Sequence, residues 1–272
     1  MFFIFGSPRS GTTLLSSSLD LHDEVVVPDE TDFIVPLAFI FDRIKDAAIG
    51  RDLIASLIIS TERYPHSLAE FLSKDEVRKT VLGAEYSAAK IVSAIYDRIA
   101  KKKGKKIPGD KSPNDLLFLR MLVKTGMLEP QETKIIHVIR DVRAVTLSLQ
   151  KTDWGRAMTP FFPRFWNYSN LYLHEVYRER AGKYLLVKYE ELVSHPESVF
   201  RRITDLLGVE FQDKILDPTN RGVRKRADIH HQLIAEPYQA QRAGGWRSEI
   251  SAELLELCAR QADEAIGAFG YR

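Results

Sequence analysis

The string Gly6-Ser7-Pro8-Arg9-Ser10-Gly11-Thr12-Thr13 has the glycine spacing of a phosphate-binding loop, yet Thr12 stands where a nucleoside-triphosphate enzyme carries its lysine. The flanks suit such a loop. The apolar run Phe2-Phe3-Ile4-Phe5 reads as a strand and residues 14–21 as a helix. The backbone N–H groups of Ser10, Gly11, Thr12 and Thr13 would then form a nest for a phosphate or sulfate at the positive end of the helix dipole. Arg9 adds a planar cation inside the loop, suited to forked contact with two anionic oxygens. A second reactive type stands in Val27-Pro28-Asp29-Glu30-Thr31-Asp32-Phe33. A hydroxyl is a poor nucleophile until a positioned base takes its proton, and Glu30, just beyond a short apolar run, could be that base. Asp29 and Asp32 read instead as caps of the helix that follows.

These groups need a scaffold that brings them together. Five apolar segments read as strands: residues 2–5, 25–27, a weak one near 107, 134–139 and 184–187. Helical patterns lie between them, so the expected fold is α/β, a P-loop-type parallel sheet of about five strands flanked by helices. Residues 32–104 read as several helices, including 53–60 and 87–101, inserted between strands 2 and 3 as a wall or lid. Arg9, Glu30, Lys111, Arg140 and Tyr189 each follow one of the five strands, and in a parallel sheet all five positions fall at the same carboxyl edge. Residues 154–177 are rich in aromatics, with Phe161, Phe162, Phe165, Trp166, Tyr168 and Tyr172, and read first as a helix packing rings into the core, although partial exposure could serve acceptor binding or dimerisation.

Bulk composition narrows the function classes. A chain of 272 residues that is 44% hydrophobic can bury a substantial core, and a formal charge of +2 implies no general affinity for nucleic acid. The basic runs at 101–106 and 221–226 read as solvated surface. Cys258 is the single cysteine, so no intrachain disulfide can form, and its place in a helical pattern over 252–268 makes it core. No Cys/His/Asp set has zinc spacing, and the adjacent His230 and His231 cannot both face one ion, so no metal site is expected.

The string Pro-Arg-Ser-Gly-Thr-Thr at the end of a first strand resembles the 5′-phosphosulfate loop of sulfotransferases that use 3′-phosphoadenosine-5′-phosphosulfate (PAPS). The segment around Glu30 resembles the Glu-Thr element of bacterial-type enzymes related to Golgi tyrosylprotein and carbohydrate sulfotransferases, which implies Glu30 as base; Arg9 and Glu30 lie 21 residues apart, a similar spacing. Gly109-Asp110-Lys111-Ser112-Pro113 is similar to another family element. There a lysine would stabilise charge building on the oxygen between sulfur and phosphate as that bond breaks, with Arg9 assisting. A sulfuryl group carries less negative charge than a terminal phosphoryl, so protein cations can serve without Mg²⁺. The resemblance further implies that Arg140 and Ser148, eight residues later, hold the 3′-phosphate; the spacing itself lets Asp141 cap the helix and leaves Arg143 as an ion-pair partner or surface residue. Lys188-Tyr189-Glu190-Glu191-Leu192 resembles an element contacting the adenine side, where Tyr189 would stack. Gly244-Gly245-Trp246-Arg247 is similar to a loop closing over the nucleotide, with Arg247 joining Arg140. His230, His231 and Gln232 stand where some relatives have a serine near the phosphosulfate, and Lys151 or Thr152 where many have a further basic residue.

Taken with the residues, the resemblance implies one sulfotransferase domain over 1–272, with PAPS as co-substrate and a hydroxyl-bearing carbohydrate, lipid, peptide or small molecule as acceptor. No signal or anchor fits before the loop, and Met1 directly before the strand leads to the expectation of a cytoplasmic enzyme without a membrane anchor. Two alternatives differ in class. An ATP-dependent small-molecule kinase would need the missing lysine, and a non-catalytic nucleotide-binding protein would need neither Glu30 nor Lys111.

Overall fold

Residues of the first strand alternate between two cores: Phe3 and Phe5 pack into one hydrophobic cluster, Phe2 and Ile4 into another on the opposite face. A strand buried on both faces is the mark of a parallel sheet covered by helices on each side. The computed structural model describes residues 1–128, 133–219 and 236–271. In it the strands β1 (Phe2–Phe5), β2 (Val25–Val26), β3 (Ile107–Lys111), β4 (Lys134–Ile139) and β5 (Tyr184–Lys188) form one sheet in the order β2-β3-β1-β4-β5, every pair parallel. The α/β expectation and its five strands hold, although the third strand is longer than its weak apolar signal implied. Pro108, Gly109 and Asp110 carry no strand propensity. They are held by pairing with β1 on one side and β2 on the other.

Helix α1 (Thr12–Leu19) follows β1 directly. Between β2 and β3 lie α2 (Ile34–Arg43), α3 (Ala47–Ser60), α4 (Lys74–Gly83) and α5 (Ala88–Lys102), the expected insertion. All four pack through the cluster that holds Phe3 and Phe5. The chain continues through α6 (Leu119–Lys124), α7 (Val142–Gln150), α8 (Asp153–Arg156), α9 (Phe162–Tyr177), α10 (Tyr189–Ser194), α11 (Pro196–Leu207) and α12 (Ala252–Ala268). Helix α11 covers the other face through Val199, Phe200 and Ile203, while α7, α9 and α12 enclose a third cluster containing Cys258, which is buried as expected. Lys102, Lys103 and Lys106 make surface ion pairs, but Lys105 turns inward, donating to the Asp20 carbonyl at 2.6 Å and the Val25 carbonyl at 2.8 Å, and so fastens the entry to β2. Among the described residues, no helix is long and apolar enough to cross a membrane.

Two local readings change. Helix α2 begins after Phe33 with no side-chain cap, so Asp29 and Asp32 are not its caps. Asp32 takes a positive φ of 52° and pairs with Arg63, and this departure from helical geometry separates the Asp-Glu-Thr-Asp segment from the helix start. The aromatic segment is divided as well. Trp166 and Tyr177 are core, but Phe161 is 73% and Tyr168 65% exposed, because α9 packs only one face on α7 and α12.

Candidate active site

The loop after β1 is shaped by two residues in the left-handed region, Arg9 at φ 69° and Gly11 at φ 90°. Gly11 precedes α1, whose first turn receives no side-chain cap, so its N-terminal amides face the loop rather than a neighbouring side chain. A Cβ at Gly11 would lie 2.5 Å from Tyr189 Cδ2, which makes glycine obligatory on two counts. The Ser7 and Ser10 hydroxyls hydrogen-bond at 2.7 Å beneath the loop. Arg9 Nε donates to Ser148 Oγ at 3.0 Å, and Arg140 Nη1 donates to the Arg9 carbonyl at 3.0 Å. The Arg140 guanidinium in turn rests 4.2 Å from the centre of the Tyr189 ring. Its Nε is buried and has no hydrogen-bond partner, an orphaned donor beside the loop.

Across the loop, the last residue of β3 reaches the same point. Lys111 Nζ donates to Glu30 Oε1 at 2.5 Å and to Thr13 Oγ1 at 3.3 Å. One buried ammonium thus joins the carboxylate beyond β2 to the loop beyond β1. Arg63, from the insertion, lies 3.8 Å from Glu30 Oε2 and 3.2 Å from Asp32 Oδ2. A second buried layer ties these elements together. The Tyr96 hydroxyl, on α5, donates to Asp110 Oδ1 and accepts from Thr31 Oγ1 at 3.1 Å, and Ser112 Oγ donates to the same carboxylate oxygen at 3.3 Å. The neighbours of Glu30 and of Lys111 are therefore fixed to each other. Burial pushes the Asp110 carboxyl up to about 6 and raises Asp115 well above the usual carboxylate range.

The contacts follow the strand order: Glu30 beyond β2, Lys111 on β3, Thr13 and Arg9 beyond β1, Arg140 beyond β4, Tyr189 beyond β5. A crevice of about 320 Å³ opens over them, lined on one side by Arg9, Thr12, Thr13, Glu30 and Arg63 and on the other by Leu117, Leu149, Trp154, Met158, Phe162 and Phe165. Asp141 caps α7 and pairs with Arg143, as expected, and Glu190 accepts from the Asp141 backbone and the Tyr271 hydroxyl. Tyr189 is only 7% exposed, and its ring supports Arg140 and the Gly11 backbone. The guanidinium groups of Arg143 and Arg247 stand 4.7 and 4.8 Å from the centre of the Trp246 ring, which packs on α7 near Ser148 with Ala144 and Leu147. Lys151 pairs with Glu249, and Thr152 caps α8. His230, His231, Gln232 and the basic run at 221–226 lie outside the described residues. Arg63, Tyr96, Trp154 and Met158 join the site without belonging to any of its sequence motifs. Trp154 lay within the aromatic segment, whereas Arg63 and Tyr96 carry no local signal in the helical insertion.

The fold and the crevice define an α/β protein whose first strand runs through a glycine turn into an uncapped helix, flanked at one sheet edge by a carboxylate and several cations. Comparison with known proteins makes the class specific. The Sulfotransferase family model matches residues 2–213, and the chain belongs to that family. It is 29% identical over 271 residues to a protein-tyrosine sulfotransferase of Drosophila melanogaster, covering 94% of this chain and 48% of the relative. Protein-tyrosine sulfotransferase A of Caenorhabditis elegans is 26% identical over 229 residues, covering 79% and 51%. The chain spans about half the length of these curated relatives. The sulfotransferase domain of the Synechococcus PCC 7002 olefin synthase shares the fold, with a TM-score of 0.61 at 24% identity over 96% of this chain and 93% of that one.

Proposed function

We propose that the protein transfers a sulfuryl group from PAPS to an acceptor hydroxyl by in-line displacement. The observation that carries this reading is the position of Lys111 Nζ, within hydrogen-bond distance of both Glu30 Oε1 and the loop hydroxyl of Thr13. A base, a cation and an anion nest meet there. The residues also fit the donor: the uncapped N-terminus of α1 suits the phosphosulfate, and the orphaned Arg140 Nε, with Ser148 close by, suits the 3′-phosphate. When bound, PAPS supplies an activated sulfuryl group on a phosphate leaving group. Glu30 takes the proton of the acceptor hydroxyl, Lys111 and Arg9 stabilise charge on the departing oxygen, and Tyr189 seats Arg140. Trp246 and Arg247 close the 3′-phosphate end beside α7.

The matched relatives are named for protein tyrosine, which supports a hydroxyl acceptor for this chain as well. A non-catalytic nucleotide-binding protein would have no use for Glu30 and Lys111 paired beside the loop, and family membership does not favour a kinase. Two measurements test the reading: calorimetry with 3′,5′-ADP against ATP and Mg²⁺, and transfer of radiolabelled sulfate from PAPS to a mixed panel of alcohols, phenols, sugars and peptides. Binding of 3′,5′-ADP with turnover on at least one hydroxyl is expected; preference for ATP would overturn it.

A further inference from the structure

Helix α9 and the residue before it carry Phe161, Phe165, Tyr168 and Tyr172 at spacings of four, three and four, which align them on one helical face. That face looks outward. With Leu116, Leu117 and Leu119 opposite, it lines a groove of about 580 Å³, and the groove meets the catalytic crevice through two shared residues, Leu117 and Phe165. Single exposed apolar residues need no explanation, but a contiguous aromatic wall leading out of a reaction crevice marks a binding surface. The groove contains no Asp or Glu and two arginines, Arg120 and Arg164. Arg120 rests its guanidinium 5.0 Å from the Tyr172 ring, at the end reached after the seven residues from Phe165, on the order of 10 Å along the helix.

We propose that this groove holds the body of the acceptor, which is an elongated apolar alcohol carrying a carboxylate or similar anion at the end away from its hydroxyl. The proposal rests on the sulfuryl-transfer reading above. The hydroxyl reaches Glu30 in the crevice, the apolar body lies over Leu117 and Phe165, and Arg120, beside Tyr172, meets the anionic end. The aromatic wall excludes water from the chain, while the cationic end discriminates against neutral alcohols and fixes the direction of entry.

The test compares ω-hydroxydodecanoic acid, dodecanol and an acidic tyrosine-containing peptide as acceptors for the full chain with PAPS. The hydroxy acid should exceed dodecanol by about tenfold in kcat/KM, the worth of one charge-assisted contact in a partly exposed site. In Arg120→Gln, an exposed side chain, that ratio should fall to about one. Phe161→Ala with Tyr168→Ala should raise KM for both alkyl acceptors. Retained 3′,5′-ADP binding shows that each variant folds. Equal use of acid and alcohol, a ratio insensitive to Arg120, turnover of the peptide alone, or no sulfation while 3′,5′-ADP still binds each overturns the proposal without touching the donor site. Failure to bind 3′,5′-ADP removes the sulfuryl-transfer reading and this proposal together.

Discussion

Glu30→Gln keeps the shape of the side chain and one oxygen for Lys111, but removes the negative charge that faces a buried ammonium. The Lys111 side chain is 2% exposed and the Glu30 side chain 19%, with 2.5 Å between Nζ and Oε1. At an effective dielectric near 20, that separation corresponds to an attraction of about 7 kcal/mol before desolvation is subtracted. Removing one partner of a buried pair costs about 3–5 kcal/mol, and the partial exposure of Glu30 points to the lower end. A loss of about 3 kcal/mol should lower Tm by roughly 6–12 °C in a chain of this size. Turnover should fall further, by about 10²–10⁴ in kcat, because the proton acceptor is gone. Binding of 3′,5′-ADP should be kept, since the substitution leaves Lys111 and its contact to the Thr13 hydroxyl in place. In the double variant Glu30→Gln/Lys111→Met, Tm should recover relative to the single variant, as no charge is left unpaired, while activity stays absent. Stopped-flow turnover at saturating PAPS, calorimetry and thermal melts separate these effects. If Glu30→Gln retained more than a tenth of wild-type kcat, another group would be the base; if its Tm were unmoved, the ion pair would not organise the site.

Three further outcomes follow from the same geometry. Gly11→Ala should abolish measurable 3′,5′-ADP binding, because a Cβ at φ 90° meets the Tyr189 ring at 2.5 Å; retained calorimetric binding would contradict the loop assignment. Arg140→Leu should weaken 3′,5′-ADP by about 10–100-fold but leave 5′-AMP nearly unaffected, since only the former presents a 3′-phosphate to the Arg140 guanidinium, whose buried Nε has no partner. Asp110 is raised by burial from 3.8 to about 6, so its neutral form stabilises the fold at low pH, and about 3 kcal/mol of that is lost as pH rises from 4 through 6. The difference in unfolding free energy between wild type and Asp110→Asn should shrink over that window. Taking the difference matters because His137, pushed down to about 4 by burial, contributes the opposite slope, losing stability as pH falls from 6.5. A pH-independent difference would show that Asp110 ionises freely.

Much of this site was legible in the chain because its parts stand next to strand ends, and strands announce themselves locally. Four of the five have clear apolar runs, and a parallel sheet then places whatever follows each strand at one edge. Arg9, Glu30, Lys111, Arg140 and Tyr189 could be assembled on that basis before any distance was known. The glycine-rich turn likewise carries its own reason, since Gly11 adopts a backbone region that side chains rarely enter. Capping of α7 by Asp141 was readable for the same reason, being a contact between near neighbours.

What no local pattern could provide is which of the convergent groups touch. Tyr96 meets Thr31 from 65 residues away and joins it to Asp110, and Arg63 approaches Glu30 from a short turn in the insertion. Such contacts depend on how helices pack on the sheet, and many sequences satisfy one packing. The sequence alone therefore determined the scaffold, the glycine turn after β1 and the sheet edge where the candidate site residues gather. Tertiary structure decided that Lys111 lies between Glu30 and the loop, that Tyr189 supports Arg140, and that half of the aromatic helix faces outward, because long-range packing sets side-chain pairing and exposure.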